Sequence, residues 1–391
     1  MRVPQQSTEQ WYLKWLIISW KNPRKKKSHS AYFSTHCMRV SAGKSKRRSR
    51  GAVRSEVTII VALRDAASME IRADIDDLMS KCVGCGQCVE VCTSHAYGGC
   101  NPLEVMEGRL ESARGCLGCG LCERVCQYTS PKKVMMYAAC RINSMSPPQV
   151  YRDTGYNLPP SEMEVPGPHY VKGADAQLMP GCMVVGSAPY LEYATERVLD
   201  FIGIPTERYD GGCCTYPVPF RGLDDAERDS IKRKAAEPLR GRKLYAICSG
   251  CAGEMVSSGI DCEHVVYVLH KNRDRLRGLR KVGMRVAIQP GCSLRTELPL
   301  FREILEAVGY QVVQKEQGCC GKLVPGISER IMADRQGSMR DVDAVVVGCP
   351  SCFARYNEYP DGIPVLYLTE AVLLAMGDRS TADLHRNPIS R

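Results

Sequence analysis

Two adjacent cysteines, Cys319 and Cys320, stand within the stretch Gln317–Gly321 and centre a five-cysteine pattern. Cys292 precedes the pair and Cys349-Pro-Ser-Cys352 follows it. The same order occurs upstream as Cys182, then Cys213-Cys214, then Cys248-Ser-Gly-Cys251. Neighbouring cysteines rarely bridge each other, because a disulfide between them strains the peptide. Both of their thiolates can nevertheless reach a multi-iron cluster, which asks for many soft sulfur ligands. Buried structural cysteine is the competing reading, and two full copies of the pattern weigh against it.

A second constellation lies ahead of these repeats. Cys82-x2-Cys85-x2-Cys88-x3-Cys92 is followed by Cys116-x2-Cys119-x2-Cys122-x3-Cys126. Three cysteines so closely spaced wrap one face of a cube-shaped cluster, an order that a single tetrahedral zinc could not use. Gly84, Gly86, Gly118 and Gly120 let the backbone curl so that its N–H groups point at sulfur. In two-cluster ferredoxins the fourth cysteine of each run serves the other cluster. One [4Fe–4S] cubane then takes Cys82, Cys85, Cys88 and Cys126, and a second takes Cys116, Cys119, Cys122 and Cys92. Thr93 and Gln127 stand where a proline is usual, which alters a turn and not the ligation. A zinc module is the alternative.

The elements that position these residues follow from periodicity and composition. The 22 cysteines of this 391-residue chain sit in Cys-x-x-Cys units, which favours metal ligation in a reducing compartment over a disulfide scaffold. The formal charge of +10 comes from the N-terminus, where residues 1–54 hold 14 Lys/Arg against one acid, Glu9. The rest of the chain is mildly acidic, and nucleic acid binding has no support there. Residues 1–68 read as a disordered basic extension. Its apolar run Trp11–Trp20 is too short to span a bilayer, fits a secretory signal poorly, and leaves an interfacial anchor or an early start codon as options. Residues 69–145 read as a small, mainly α-helical two-[4Fe–4S] ferredoxin-like domain, and 146–177 as a Pro-rich extended linker. Two repeats follow at 178–280 and 281–376, with a tail at 377–391. Met179-Pro-Gly-Cys182 matches Gln289-Pro-Gly-Cys292, and Lys243–Cys248 matches Asp343–Cys349. Leu191–Gly203 and Leu300–Gly309 are matching helical runs, and Val265–Leu269 and Ile363–Leu368 are matching apolar stretches read as strand-like. Strands alternating with helices predict an α/β unit with a parallel-type sheet, with cysteines at the strand ends and the two repeats related by a pseudo-twofold axis.

The paired Cys, Cys-Cys, Cys-x-x-Cys repeats resemble the CCG domains of heterodisulfide reductase. With a two-cluster ferredoxin fused ahead of them, residues 75–376 look like the single-chain catalytic subunit of its membrane-linked form. The resemblance implies one or two noncubane [4Fe–4S] clusters at the repeats, where the mixed disulfide of coenzyme M and coenzyme B is split, with Cys213, Cys214, Cys319 and Cys320 at the site. It implies an enzyme of methanogenesis, cytoplasmic and peripheral to the membrane through a partner subunit. Related subunits serve thiol:fumarate reductase and the glycerol-3-phosphate, lactate or glycolate oxidation systems, which makes an electron-transfer subunit the alternative. No Gly-x-Gly-x-x-Gly opens a βαβ unit and no haem attachment motif occurs, so neither flavin nor nicotinamide is expected. Electrons are expected from a partner subunit, either a membrane cytochrome-b-like protein or a flavoprotein.

Four cations beside the cysteine loops, Arg221, Arg295, Lys322 and Arg355, are candidates to hold a small anionic disulfide. Lys322, directly after Cys319-Cys320-Gly321, is the foremost of them. His264 reads as structural, with proton donation as the alternative. Cys100, Cys140 and Cys262 fall outside every motif and read as core or bystander thiols. The repeats differ where Gly321 is replaced by Thr215. A β-branched residue is not expected at positive φ, so the second repeat is expected to do more of the substrate capture.

Overall fold

The computed structural model describes residues 71–389 apart from Arg240, Lys322, Leu323 and Pro325. The basic extension read over 1–68 and the candidate cation Lys322 therefore lie outside the described residues.

Residues 71–145 form helices only, among them Ala73–Ser80, Gln87–Glu90, Pro102–Met106, Leu121–Val125 and Pro131–Ile142. Pro102 and Pro131 open their helices, where a missing N–H has no partner to lose. The inner faces meet in a core of Ile75, Val105, Leu110, Val134, Met135 and Ala138. This core is small for its length, and the cysteine runs wrap its two ends. The linker is not extended throughout, because it contains the helix Gln149–Thr154.

Each repeat then builds one four-stranded, all-parallel sheet. The first has the order β2-β1-β3-β4, from Ala176–Met179 (β1), Thr206–Arg208 (β2), Lys243–Ala246 (β3) and Cys262–His264 (β4). The second repeats it as β6-β5-β7-β8, from Arg285–Gln289 (β5), Gln311–Val313 (β6), Ala344–Val347 (β7) and Val365–Tyr367 (β8). The predicted α/β class with parallel sheets behind a helical ferredoxin-like part is the class observed. In each sheet the chain leaves the first strand on one side and returns on the other. The carboxyl ends of β1 and β3, and of β5 and β7, thus flank a topological switch point.

Val265–Leu269 departs from the strand expected of it. It is the start of a helix, Val265–Lys271, and the strand is the short β4 before it. Burial explains the difference. Val265, Val266, Val268 and Leu269 are buried and Tyr267 is half-buried, and periodicity alone does not separate so short an apolar run from a strand.

The repeats exchange helices across their interface. Helix Tyr190–Phe201 of the first packs on Leu368–Ala375 of the second, and Leu298–Ala307 of the second packs on Val265–Lys271 of the first. Each contact is the other with the repeats interchanged, which is the signature of a pseudo-twofold axis. One apolar core draws on both repeats, and Met179, Leu244, Ala246 and Met255 of the first form a second cluster. The segment after residue 376, read as a tail, joins the shared core through Ala382 and Ile389, and His385 reaches Glu370 at 2.9 Å.

Where the repeats meet, the ends of β4 and β8 bring His264 and Tyr367 together, 3.3 Å apart. His264 Nδ1 accepts the Val266 N–H at 3.2 Å, so its proton is on Nε2, which donates to the Ile247 carbonyl at 2.8 Å. The Tyr367 hydroxyl donates toward the carbonyls of Ile247 and Gly348, the latter at 3.2 Å. These two carbonyls immediately precede Cys248 and Cys349. Burial lowers the His264 pKa from 6.5 to about 4, which identifies it as a neutral structural group and not a proton donor at neutral pH.

Between those values the unfolded chain binds a proton that the folded one refuses. Stability must therefore fall as pH drops from about 6.5 toward 4, by up to about 1.4 kcal/mol per pH unit. Thermal unfolding of the wild type and His264→Gln across pH 7 to 5 should show the variant with the flatter profile. Equal slopes would remove His264 as the cause.

Candidate metal centres

The two ferredoxin runs fold around two separate cavities. One is lined by Cys82, Cys85, Cys88 and Cys126. The other is lined by Cys92, Cys116, Cys119 and Cys122. The fourth cysteine of each run thus sits with the other run's first three. Gly84, Gly86, Gly118 and Gly120 all adopt positive φ, between 65° and 76°. Backbone amides do turn toward sulfur: Gly118 N–H lies 3.5 Å from Cys116 Sγ, and His95 N–H 3.4 Å from Cys92 Sγ. Among the described residues no three His, Cys, Asp or Glu side chains converge on the position of a single ion. The thiols ring a volume, as a cluster of several irons requires. Burial raises Cys88 and Cys119 to about 11 and Cys122 to about 12, with neighbouring thiols adding to each shift. These groups need a metal to release their protons.

The ten repeat cysteines gather as two sets of five. Cys182 opens a helix just past β1, and Cys292 begins a helical turn just past β5. Cys248 and Cys349 stand at the N-caps of Ser249–Ser257 and Pro350–Asn357, with Cys251 and Cys352 in the first turns. The Cys-Cys pairs come in on the loops that follow β2 and β6. Glycine is required ahead of Cys182 and Cys292. A Cβ on Gly181 would lie 2.9 Å from Cys251 Sγ, and one on Gly291 would lie 2.7 Å from Cys349 Cβ.

Each set is crowded enough for its thiols to bond to one another. Cys292 Sγ and Cys319 Sγ are 4.0 Å apart. A hydrogen bond from Cys213 draws Cys214 down to about 6, and bonds from Cys319 and Cys352 lower Cys292 and Cys349. The thiol partners Cys319 and Cys352 are pushed up in turn. A few thiolates can form in each set and the rest stay protonated, because neighbouring thiolates repel one another.

The expected difference between the Cys-Cys loops is not the one observed. Thr215 adopts φ +64°, close to the +72° of Gly321. Each residue's amide lies 3.4 Å from the Sγ of the first cysteine of its pair. The loop conformation is dictated by that amide–sulfur contact, and the first repeat accepts the strain of a β-branched residue, of order 1–3 kcal/mol. The repeats therefore differ in side chain and not in backbone, and φ gives no reason to favour the second repeat for substrate capture. Thr215 is fully buried, and its Oγ1 lacks a hydrogen-bond partner.

Sequence reasoning gave Tyr216 no role. It is deeply placed, and burial followed by the charges of Cys292, Cys349 and Cys248 raises its phenol. It is thus close to cysteines of both repeats. Of the candidate cations, Arg295 stands out, since its Nε and Nη2 are buried without a partner and its charge acts on Cys119 and Cys292. Arg355 approaches Glu329 at 3.8 Å, and Arg221 is held at φ +52° in the last turn of the helix Val218–Gly222.

The second ferredoxin cavity abuts the second repeat. Leu117, Cys319 and Ile331 form one apolar cluster, with Tyr97, Cys119 and Cys292 packed against it. Arg124 donates to the Cys292 carbonyl at 2.7 Å, and the Tyr97 hydroxyl to Asp334 at 2.5 Å. On the other flank Lys133 pairs with Asp225 at 3.3 Å and with Asp74 at 3.1 Å.

Equal backbones do not mean equal space. A Cβ at Gly321 would lie 3.0 Å from Ile331 Cβ and 3.1 Å from Ser328 Cα. Gly321→Thr should therefore destabilise by about 2–3 kcal/mol in denaturant unfolding, combining strain with overpacking. Thr215→Gly should change stability by less than half of that. A neutral Gly321→Thr would show that the helix Ile327–Ser338 yields.

A 4Fe-4S binding domain matches residues 78–97, and a cysteine-rich domain, CCG, matches residues 176–255 and 286–355. No curated protein matches the chain. A solved structure of a hypothetical protein from Helicobacter pylori is similar at 9% identity and a TM-score of 0.43, covering 66% of this chain and 61% of that one. The match thus spans less than two thirds of that protein's length. The domains indicate a [4Fe–4S] cluster, cysteine-rich cluster sites and an iron–sulfur electron-transfer function. A ferredoxin domain followed by two CCG domains is the architecture of iron–sulfur subunits like the catalytic one of heterodisulfide reductase.

Proposed function

We propose that the chain is an iron–sulfur oxidoreductase subunit that reduces a small anionic disulfide of the coenzyme M–coenzyme B type. The observation that supports this most is the junction of Cys119, Leu117, Cys319 and Cys292 in one apolar cluster. It joins the ferredoxin part to the second cysteine-rich set through packed side chains.

In this reading Cys82, Cys85, Cys88 and Cys126 hold one cubane, and Cys92, Cys116, Cys119 and Cys122 hold the other. Cys182, Cys213, Cys214, Cys248 and Cys251 hold one noncubane cluster, with Cys292, Cys319, Cys320, Cys349 and Cys352 holding the second. Such clusters supply one-electron transfer and an iron with open valence for a departing thiolate. Cleaving a disulfide to two thiols takes two electrons and two protons. The chain's own contribution is placement. Tyr216 reaches cysteines of both repeats, and Arg295 offers a buried guanidinium for an anion. Electrons enter at the first cavity, where Cys85 is exposed and Val83 and Tyr128 are 59% and 56% exposed. That apolar rim suits a partner subunit, a membrane cytochrome-b-like protein or a flavoprotein. No described helix is long and apolar enough to cross a membrane.

Anaerobically purified protein should be brown and hold roughly 16 irons, four per cluster. With reduced viologen as donor it should cleave the coenzyme M–coenzyme B disulfide, and Cys320→Ser should abolish turnover while the cubanes still accept electrons. About eight irons with cubane signals only would leave the repeats without clusters. Full loading without disulfide cleavage would make the chain an electron-transfer subunit whose partner carries the chemistry.

A further inference from the structure

Cys100 belongs to neither cysteine run, yet it lines the same cavity as Cys92, Cys116, Cys119 and Cys122. It is 5% exposed, and its Sγ lies 3.7 Å from Cys92 Sγ. The Cys116 thiol and the Ser94 hydroxyl are further hydrogen-bonding neighbours. The first cavity has four cysteines in its lining and no fifth. The residue that follows Cys126 at the spacing of Cys100 from Cys92 is Val134, buried in the helical core.

Cys100 is held there by specific packing. Gly99 and Gly115 immediately precede Cys100 and Cys116, and their backbones cross so closely that a Cβ on Gly115 would lie 2.5 Å from the Gly99 carbonyl carbon. Only glycine allows that crossing, and it delivers the two cysteines to one pocket. On the other side Asn101 N–H donates to Ser112 O at 3.0 Å, and Asn101 Oδ1 accepts the Leu103 amide at 3.1 Å. His95 Nδ1 sits 3.1 Å from the Cys100 carbonyl. The chain is pinned both before and after Cys100, so its backbone stays beside the cavity.

We propose that Cys100 is a fifth ligand-competent cysteine of the second cavity, able to replace Cys92 on one iron of a [4Fe–4S] cluster held there. The proposal rests on that cavity holding a cubane. In the exchange the Fe–S bond to Cys92 breaks as the Fe–S bond to Cys100 forms, and the proton of the Cys100 thiol passes to Cys92. No electron is gained or lost. Cys92 sits at the N-cap of a four-residue helix, Thr93–Ala96, so a loosening of that short turn would expose an iron to solvent unless a second thiol stood beside it. Cys100 provides the cluster with a reserve ligand at the cavity that faces the second repeat.

The test uses full-length protein in four forms: wild type, Cys92→Ala, Cys100→Ala and the double variant. Each is reconstituted anaerobically, and iron content and the electron paramagnetic resonance of the dithionite-reduced protein are recorded. The cubane of Cys82, Cys85, Cys88 and Cys126 serves as the internal folding control. Both single variants should keep the second cubane, with a shifted signal in Cys92→Ala. The double variant should lose it, with about four irons fewer. Loss of those irons in Cys92→Ala alone, or their retention in the double variant, would overturn the proposal. A wild type showing only the first cubane would overturn the reading of the cavity itself, a separate and distinguishable result.

Discussion

The crowding of thiols at the carboxyl ends of β1, β3, β5 and β7 is the constraint on which the rest of the C-terminal part depends. Five buried sulfurs in one pocket cannot all ionise, and the hydrogen bonds among Cys213, Cys214 and Cys251, or among Cys319, Cys320 and Cys352, show them sharing protons instead. Iron is the charge that would release those protons. Such a pocket survives only if the loops carrying it are fixed by structure elsewhere. The exchange of helices across the pseudo-twofold axis does this for the second set, whose Cys320 and Cys352 lie in a core that both repeats build, while the first set packs on a cluster of its own repeat around Met179, Leu244 and Met255. His264 and Tyr367 extend the same control to the carbonyls that lead into Cys248 and Cys349.

The ferredoxin part meets this unit unequally. Its second cavity is sealed against the second repeat by Leu117, Ile331 and Cys319, while the helix Pro131–Ile142 lies along the helix Val218–Gly222 of the first. The two cysteine-rich sets, alike in strand order and loop backbone, thus stand in different relations to the ferredoxin. The asymmetry lies in what surrounds the repeats more than in the repeats themselves.

Much of this is legible in the sequence, for a physical reason. Cysteine spacing within four residues fixes local geometry almost alone, while the grouping of Cys126 with Cys82 and of Cys92 with Cys116 is what the likeness to two-cluster ferredoxins implies. The parallel sheets are equally legible, because apolar runs such as Ala344–Val347 are continuous where both faces are buried. What escapes a sequence reading is whatever depends on contacts between distant segments. Val265–Leu269 belongs to a helix that packs on Leu298–Ala307 of the other repeat. Thr215 adopts a conformation that its side chain disfavours because the Cys213 sulfur takes its amide. Cys100 reads as a bystander because only the crossing of Gly99 over Gly115 brings it to the cavity, and two isolated glycines carry no motif.

The segment between the ferredoxin part and β1 is more than a tether. Asn157 N–H lies 3.2 Å from Cys182 Sγ, and the Gly155 carbonyl accepts the Cys213 amide at 2.9 Å. Two of the five sulfur positions in the first set are therefore held by residues that precede the repeat itself. Tyr151 and Tyr156 close the same corner beside Phe220. Divided into two polypeptides, the protein would have its natural break before this segment and not after it. Modularity here follows the hydrogen bonds, and the boundary of the first cysteine-rich unit lies upstream of its first strand.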